Sequence, residues 1–376
     1  MSEYQYYELL ALDRPLTAKE MARLRAISTR AEITLTSFSN HYEWGDLKAD
    51  PLDLLRRYFD VFVYVANWGT RWVALRLPRG AIDTRRIRPY LEGDTNRLEI
   101  SGDSVILSLS SEDGEMDDWD EGHGWMASLA PVRGELLRGD LRPLYLAWLA
   151  AAQDDGGEDD TREPLVPPGM GELTPAQSRL AEFLGVDDFL LTAAAQGSAD
   201  AGAAMEGLED WIAALPSKDK DRLLVSIAKG TDGLALAALM RRFRASRSAP
   251  PDPPRRSLGA LLAQGRTWRA EYERERARLD EARRREQAEA AARARDAHLT
   301  ALAGRQENAW KRVHARIADR TPVAYDEAVA LLQDLRDVAQ RADKIAGFRA
   351  QVAGLAQQHA RKPTLLQRLR TAGLMD

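Results

Sequence analysis

The chain has 376 residues, enough for two or three domains that each bury a core, with 44% hydrophobic and 30% charged residues. Cysteine is absent, which excludes disulfides, thiolate zinc sites and cysteine nucleophiles. The formal charge of −5 conceals an asymmetry: residues 255–376 carry 25 basic and 16 acidic side chains, a net of +9, which leaves −14 for residues 1–254.

The opening MSEYQYYELL lacks the basic start and apolar run of a secretory signal. The longest apolar stretch, LYLAWLAAA at Leu144–Ala152, falls far short of the roughly 20 residues that cross a bilayer. A cytoplasmic location is expected, with no membrane partner, and the richness in alanine, arginine and aspartate points to a bacterial, high-GC coding sequence.

Residues 1–153 read as an α+β domain. YQYYELLAL alternates as a strand, and LTAKEMARLRAIS follows as a helix with Thr17 and Glu20 spaced as a capping box and Met21, Leu24 and Ile27 on one face. A second strand is expected near Glu32–Leu35, and Asp50 with Pro51 starts a short helix reaching Tyr58. VFVYVANWGTRWVALRL places two β-branched, aromatic-rich runs around Asn67–Thr70, and RLEISGDSVILSLS repeats the device around Gly102 and Asp103. Hairpins imply antiparallel pairing, so a doubly wound parallel sheet is not expected. One helix from about Gly134 to Gln153 closes the domain.

Residues 154–171, acidic and proline-bearing, are expected to be a linker. Residues 172–245 read as a separate helical domain opened by Thr174 and Pro175, its core drawn from Leu180, Phe183, Leu184, Trp211, Ile212, Leu223, Leu224, Ile227, Leu236 and Leu239. Residues 246–256, with SAPPDPPRR, are a second, stiffer linker. Residues 257–376 read as a helical, basic, partly coiled-coil-like region: one long charged helix over Ser257–Gly304, then helices through Trp310–Ala318, from Thr321 and Pro322, and near Ile345–Gln358.

In the long helix Leu258, Leu261, Trp268, Tyr272, Leu279 and Ala282 follow a heptad seam interrupted by Gly265 and Glu275, so self-association through residues 258–282 is a possible use. The charges favour local pairing: Glu281 with Arg285 and Glu289 with Arg293 are four apart, and Glu271–Arg274, Glu273–Arg276 and Glu275–Arg278 are three apart. Each such pair contributes about 0.2–0.5 kcal/mol to an exposed helix. Paired arginines release fewer counterions from a polynucleotide, so a solvated or protein-facing helix is favoured over a nucleic-acid surface. Arg283, Arg284, Arg285, Arg293 and Arg295 outnumber their local acids and are the candidates for a polyanion.

The segment Ser110–Trp125 carries seven carboxylates between Glu112 and Glu121, but its glycine and closing glutamate do not match an EF-hand. A solvated acidic hairpin tip or a docking surface for a basic partner is the expectation, without metal, with Asp117, Asp118, Trp119, Asp120, Glu121 and Trp125 as protein-binding candidates beside Trp268 and Tyr272; Trp119 and Trp125 can equally pack against the sheet. HYEWGDLK gathers His41, Glu43, Asp46 and Lys48. Its D-x-K triplet is too common to carry a nuclease, and Tyr42 and Trp44 read as loop packing. His298, His314 and His359 each stand alone on a helix. No G-x-x-x-x-G-K-[ST], strand-borne G-x-G-x-x-G, H-E-x-x-H or G-x-S-x-G occurs.

SEYQYYELLALDRPLTAKEM followed by HYEWGD resembles the start of a family of bacterial proteins with no assigned activity, over about the first 80 residues. It also resembles accessory proteins of RNA-guided (CRISPR) antiviral loci. The resemblance implies a bacterial cytoplasmic protein and includes no catalytic motif, so no residue roles follow from it. The expected function is non-catalytic: a scaffold or adaptor, without cofactor, that binds another protein through the helical tail and the acidic loop. The alternatives are a nucleic-acid-associated accessory factor using the arginine cluster, and an enzyme with a site near His41.

Overall fold

The computed structural model describes residues 3–93, 95–112, 122–154, 161–200, 202, 205–228, 232–247 and 255–375. The chain folds as two units, Met1–Glu271 and Tyr272–Asp376. No described helix is long and apolar enough to cross a membrane.

The first unit is built on a seven-stranded sheet in the order β2-β3-β1-β4-β5-β7-β6, with every pairing antiparallel. The strands are β1 (Gln5–Leu10), β2 (Glu32–Ile33), β3 (Ser37–Tyr42), β4 (Val61–Ala66), β5 (Arg71–Pro78), β6 (Arg97–Ser101) and β7 (Ser104–Ser111). The α+β class with antiparallel hairpins followed by helices is what the alternating runs predict. Strand β3 went unread because its inward face, Phe38, Asn40 and Tyr42, includes a polar residue that breaks the apolar alternation. Asn40 is buried all the same, its Nδ2 donating to Ser28 Oγ at 2.9 Å.

One face of the sheet is covered by α1 (Ala18–Ile27) and α2 (Pro51–Tyr58), which enclose Leu9, Phe38, Phe59 and Phe62 with Leu24, Leu54 and Leu55. Thr17 and Glu20 form the expected capping box, and Asp50 caps α2 ahead of Pro51. A short α3 (Thr84–Ile87) lies between β5 and β6. The other face carries α4 (Trp125–Leu137) and α5 (Arg142–Asp154). These replace the single expected helix, because Gly139 takes φ +78° and turns the chain.

The expected boundary after residue 153 is not a break between cores. Helices α6 (Pro175–Leu184) and α7 (Asp188–Ala195) place Leu180, Phe183, Leu184 and Leu190 in the same hydrophobic cluster as Val63, Leu75, Leu107 and Leu129. The described part of residues 154–171 is pinned: Arg162 bridges Ser257, Glu163 is buried, and the Tyr145 hydroxyl donates to Glu163. From residues 246–256, Arg256 donates to both Glu163 oxygens at 2.8 Å. Glu163 and Arg256, from the acidic and the proline-rich stretches expected to be linkers, therefore neutralise each other internally. Helices α8 (Leu208–Ala214), α9 (Ser217–Ala228) and α10 (Asp232–Ser246) complete this part, and Leu224, expected in a core, is 63% exposed.

Helix α11 (Leu258–Ala303) matches the expected long helix. Its seam is used within the chain: Leu258 and Leu261 are buried in the first unit's main cluster and Trp268 packs against it. Gly265, which interrupts the seam in sequence, is where α11 meets the backbone of α7, since a Cβ there would lie 3.3 Å from Leu190 Cα. The start of residues 258–282 is thus committed to intramolecular packing and is not open for self-association.

The second unit joins the end of α11 to α12 (Gln306–Ala318), α13 (Pro322–Arg341), α14 (Ile345–Gln358) and α15 (Pro363–Thr371). Val313, Ile317, Leu332, Leu335, Phe348, Val352, Leu365 and Leu369 form its core at helical spacing.

Asp60, 1% exposed, ties the first unit together. It accepts the N–H groups of Leu12 and Asp13 at 2.7 and 2.9 Å and pairs with Arg76 and Arg133. Burial pushes its carboxyl up, but the Asp13 N–H, Arg133, the Leu12 N–H and Arg76 outweigh this and hold it below its ordinary value. Its contribution is therefore complete above the unfolded value of about 3.9 and is lost as pH falls through the depressed folded one. Asp60→Asn is expected to cost about 3–5 kcal/mol at pH 7 by removing the buried charge shared by Arg76 and Arg133, which leaves Arg133 only the half-exposed Asp13. Urea titrations followed by circular dichroism should show wild type and variant converging in acid; parallel pH profiles would contradict this role.

Candidate protein-binding end of the sheet

At the end of the sheet where β1 begins, Gln5 pairs with Tyr42, the last residue of β3, and with Ala66, the last of β4. The chain therefore leaves both neighbours of β1 at this end, into residues 43–50 and the 67–70 hairpin. Arg71, just after the hairpin, pairs with Ser111, the last residue of β7. A third connection, from Ser111 back to Gly122, leaves the sheet at the same end.

Gln5 organises the first two connections from beneath. Its Nε2 donates to Gly45 O at 3.2 Å and Asp46 Oδ1 at 2.8 Å, while its Oε1 accepts from the hydroxyls of Tyr7 and Tyr64 at 2.7 and 2.8 Å. Burial, then the charge of Asp46, pushes the Tyr7 hydroxyl up to about 12, so both phenols act as fixed donors. The hairpin is pinned through Asn67, which accepts from Tyr4 N and donates to Tyr4 O, both at 3.0 Å. Gly45 and Gly69, at φ +79° and +97°, supply the left-handed turns. On this frame stand two tryptophans: Trp44 is 72% and Trp68 50% exposed. Neither was singled out by sequence reasoning, which read Trp44 as loop packing and Trp68 as a turn residue. The signal was present as tryptophan inside turn segments, where no strand or helix can bury it.

On the adjoining face lies a small titratable group. The Tyr6 hydroxyl donates to Glu8 Oε2 at 3.0 Å, and His123 stands edge-on to the Tyr6 ring at 4.7 Å. Gly122 is required there, since a Cβ would sit 2.8 Å from Tyr6 Cδ1. Burial raises the Glu8 carboxyl, against the Tyr6 hydrogen bond and the charge of His123. His41 lies opposite Tyr6 in the pairing and stacks on Tyr4 at 6.0 Å. Among the described residues no hydrogen bond or ion pair orients the His41 ring, and Asp46 of the D-x-K triplet is occupied by Gln5. Among the described residues no three or more His, Asp or Glu side chains converge as metal ligands.

Asp117, Asp118, Trp119, Asp120 and Glu121 lie outside the described residues. Trp125, for which the sequence left an exposed anchor and packing against the sheet equally open, is buried: it meets the Phe183 ring edge-on at 5.0 Å and is covered by the Arg179 guanidinium at 4.1 Å. Trp268 is half-buried on the core and Tyr272 is exposed.

The five arginines do not form one face. Arg283 pairs with Asp280 at 3.1 Å and Arg285 with Glu289 at 3.0 Å, not with Glu281 as spacing suggested. Arg295 reaches across to Asp334 and Asp337 on α13 at 2.5 and 2.7 Å. Arg284 and Arg293 are exposed; nine residues apart, at about 100° per residue, they point to opposite sides of the helix. The histidines are less solitary than their spacing implied: His298 meets Asp334 at 2.8 Å, and burial, Lys362 and His314 together lower His359.

A carboxyl whose folded value is raised is most stabilising when protonated, so the Glu8 contribution is lost as pH rises through that value. Glu8→Gln is expected to melt higher than wild type at pH 7, with the difference vanishing below about pH 4. A variant that melts lower at pH 7 would show that the charged form is the stabilising one.

In comparisons with known proteins no family model, no curated protein and no solved structure matches the chain.

Proposed function

We propose that this chain is a non-catalytic adaptor of the bacterial cytoplasm that docks another protein through the tryptophan-bearing end of its sheet. The observation that carries the reading is the pair of exposed indoles, Trp44 and Trp68, on turns immobilised by Gln5 and Asn67. A large aromatic surface held rigid before binding loses little entropy on contact, which is why tryptophan dominates interface hot spots.

The surrounding charge selects a basic partner. Glu3, Glu43, Asp46 and Glu112 lie at or beside this end. Of the cations, Arg71 is turned inward over Trp125 and donates to Glu182 O. The resemblance of the opening to accessory proteins of RNA-guided loci fits a partner belonging to a larger assembly. The helical unit is a second contact region, and the local pairing of its arginines weighs against a direct grip on a polynucleotide.

Affinity purification of the full chain from its source cells is expected to recover a discrete basic protein. Trp44→Ala combined with Trp68→Ala should lose it while changing stability by no more than about 0.5 kcal/mol each, as for exposed side chains. Recovery undiminished by the double substitution would reject this surface. Retardation of DNA or RNA that weakens steeply with salt and is lost in Arg284→Gln would favour the nucleic-acid alternative instead.

A further inference from the structure

A cavity of about 240 Å³ opens in the second unit between α13, the first turn of α14 and the chain beyond α15. Its floor is apolar: Phe348 and Leu374 are buried in the unit's core and Ile345 packs against them. Its rim is cationic and polar, formed by Arg336, Gln340 and Arg349.

Among the described residues neither guanidinium is held closely by an acid. Arg349 is exposed and makes no ion pair among the described residues. Arg336 reaches Asp337 only at 3.3 Å and Ala372 O at 3.5 Å, and Asp337 is held more closely by Arg295 at 2.7 Å. This contrasts with Arg295, Arg316, Arg341 and Arg368 of the same unit, each of which has a carboxylate within 2.8 Å. The start of α14 adds to the positive potential. Its N-cap, Lys344, supplies no side-chain acceptor, so the first turn keeps unsatisfied donors at the positive end of a 14-residue helix.

We propose that this cavity binds a small organic carboxylate with an apolar body. The carboxylate lies against Arg336 and Arg349, whose planar donor forks suit that group, and the body rests on Phe348 and Leu374. The cavity suits a ligand of modest size. The site lies wholly in the helical unit and is independent of the docking surface proposed for the sheet.

The test uses the full-length chain titrated with phenylacetate, followed by calorimetry and by chemical-shift changes. Two probes separate the contributions: phenylacetamide keeps the shape without the charge, and inorganic phosphate keeps a charge without the body. Saturable binding of phenylacetate is expected, weaker by about tenfold or more for phenylacetamide and in Arg336→Gln and Arg349→Gln. Both variants should retain the wild-type melting curve. If Arg336→Gln disturbs folding through its contact with Ala372, the exposed Arg349→Gln decides. Absence of saturable phenylacetate binding, binding unaltered in Arg349→Gln, or equal displacement by phosphate would each overturn the proposal.

Discussion

Val61, Val63 and Val65 pack into one layer and Phe62, Tyr64 and Ala66 into the other, so β4 is withdrawn from water on both sides. Its partner β1 is buried for most of its length. This double burial is the constraint from which the rest of the first unit follows. Helices must cover both faces of the sheet, and a covered sheet can meet a partner only at its edges or its ends. The edges are short, two residues in β2 and five in β6, and β6 carries Arg97 and Glu99, charges that discourage strand addition. What remains are the two ends, and the exposed tryptophans stand at the one where β1 starts.

Burying so much surface required burying some charge with it, and each such group is satisfied by several partners. Asp60 has two arginines and two N–H donors; Glu163 has Arg256 and Tyr145; Glu135 accepts from Thr174 and Gln177 at 2.6 and 2.9 Å. These carboxylates join segments far apart in sequence. Glu163 with Arg256 closes the loop that contains α6 to α10, and so sets where α11 begins. An unpaired buried carboxylate would instead shift to its neutral form, and the attachment would be lost.

The second unit handles charge differently. Its acids and arginines meet at the surface, within a helix in Arg278–Glu275 and between helices in Arg341–Asp296 and Arg368–Asp326. Exposed pairs of this kind contribute little stability, so the apolar core from Val313 to Leu369 holds the unit together. Their consequence is electrostatic. They lower the free positive potential of a basic region, and at Arg336 and Arg349 incomplete pairing coincides with a cavity.

The elements that depend on local physics were legible in advance. Thr17 with Glu20, Asp50 with Pro51 and Thr174 with Pro175 mark helix starts because capping involves only neighbouring residues. Likewise the two hairpins are set by glycine and asparagine at their turns, and the long helix by its composition. The sites were less legible. Trp125 and Trp119 look alike in the sequence, but burial of Trp125 depends on Phe183 and Arg179 from a helix more than fifty residues away.

Local sequence thus determined most helix starts, the antiparallel pairing of the hairpins and the long helix, all of which rest on interactions within a few residues. Tertiary structure decided that Glu163 and Arg256, in stretches that read as linkers, form a buried tie, and how far the seam of α11 is used inside the chain. It also decided which tryptophans face water. Each of these outcomes depends on partners supplied by distant segments, and no pattern of neighbouring residues encodes their meeting.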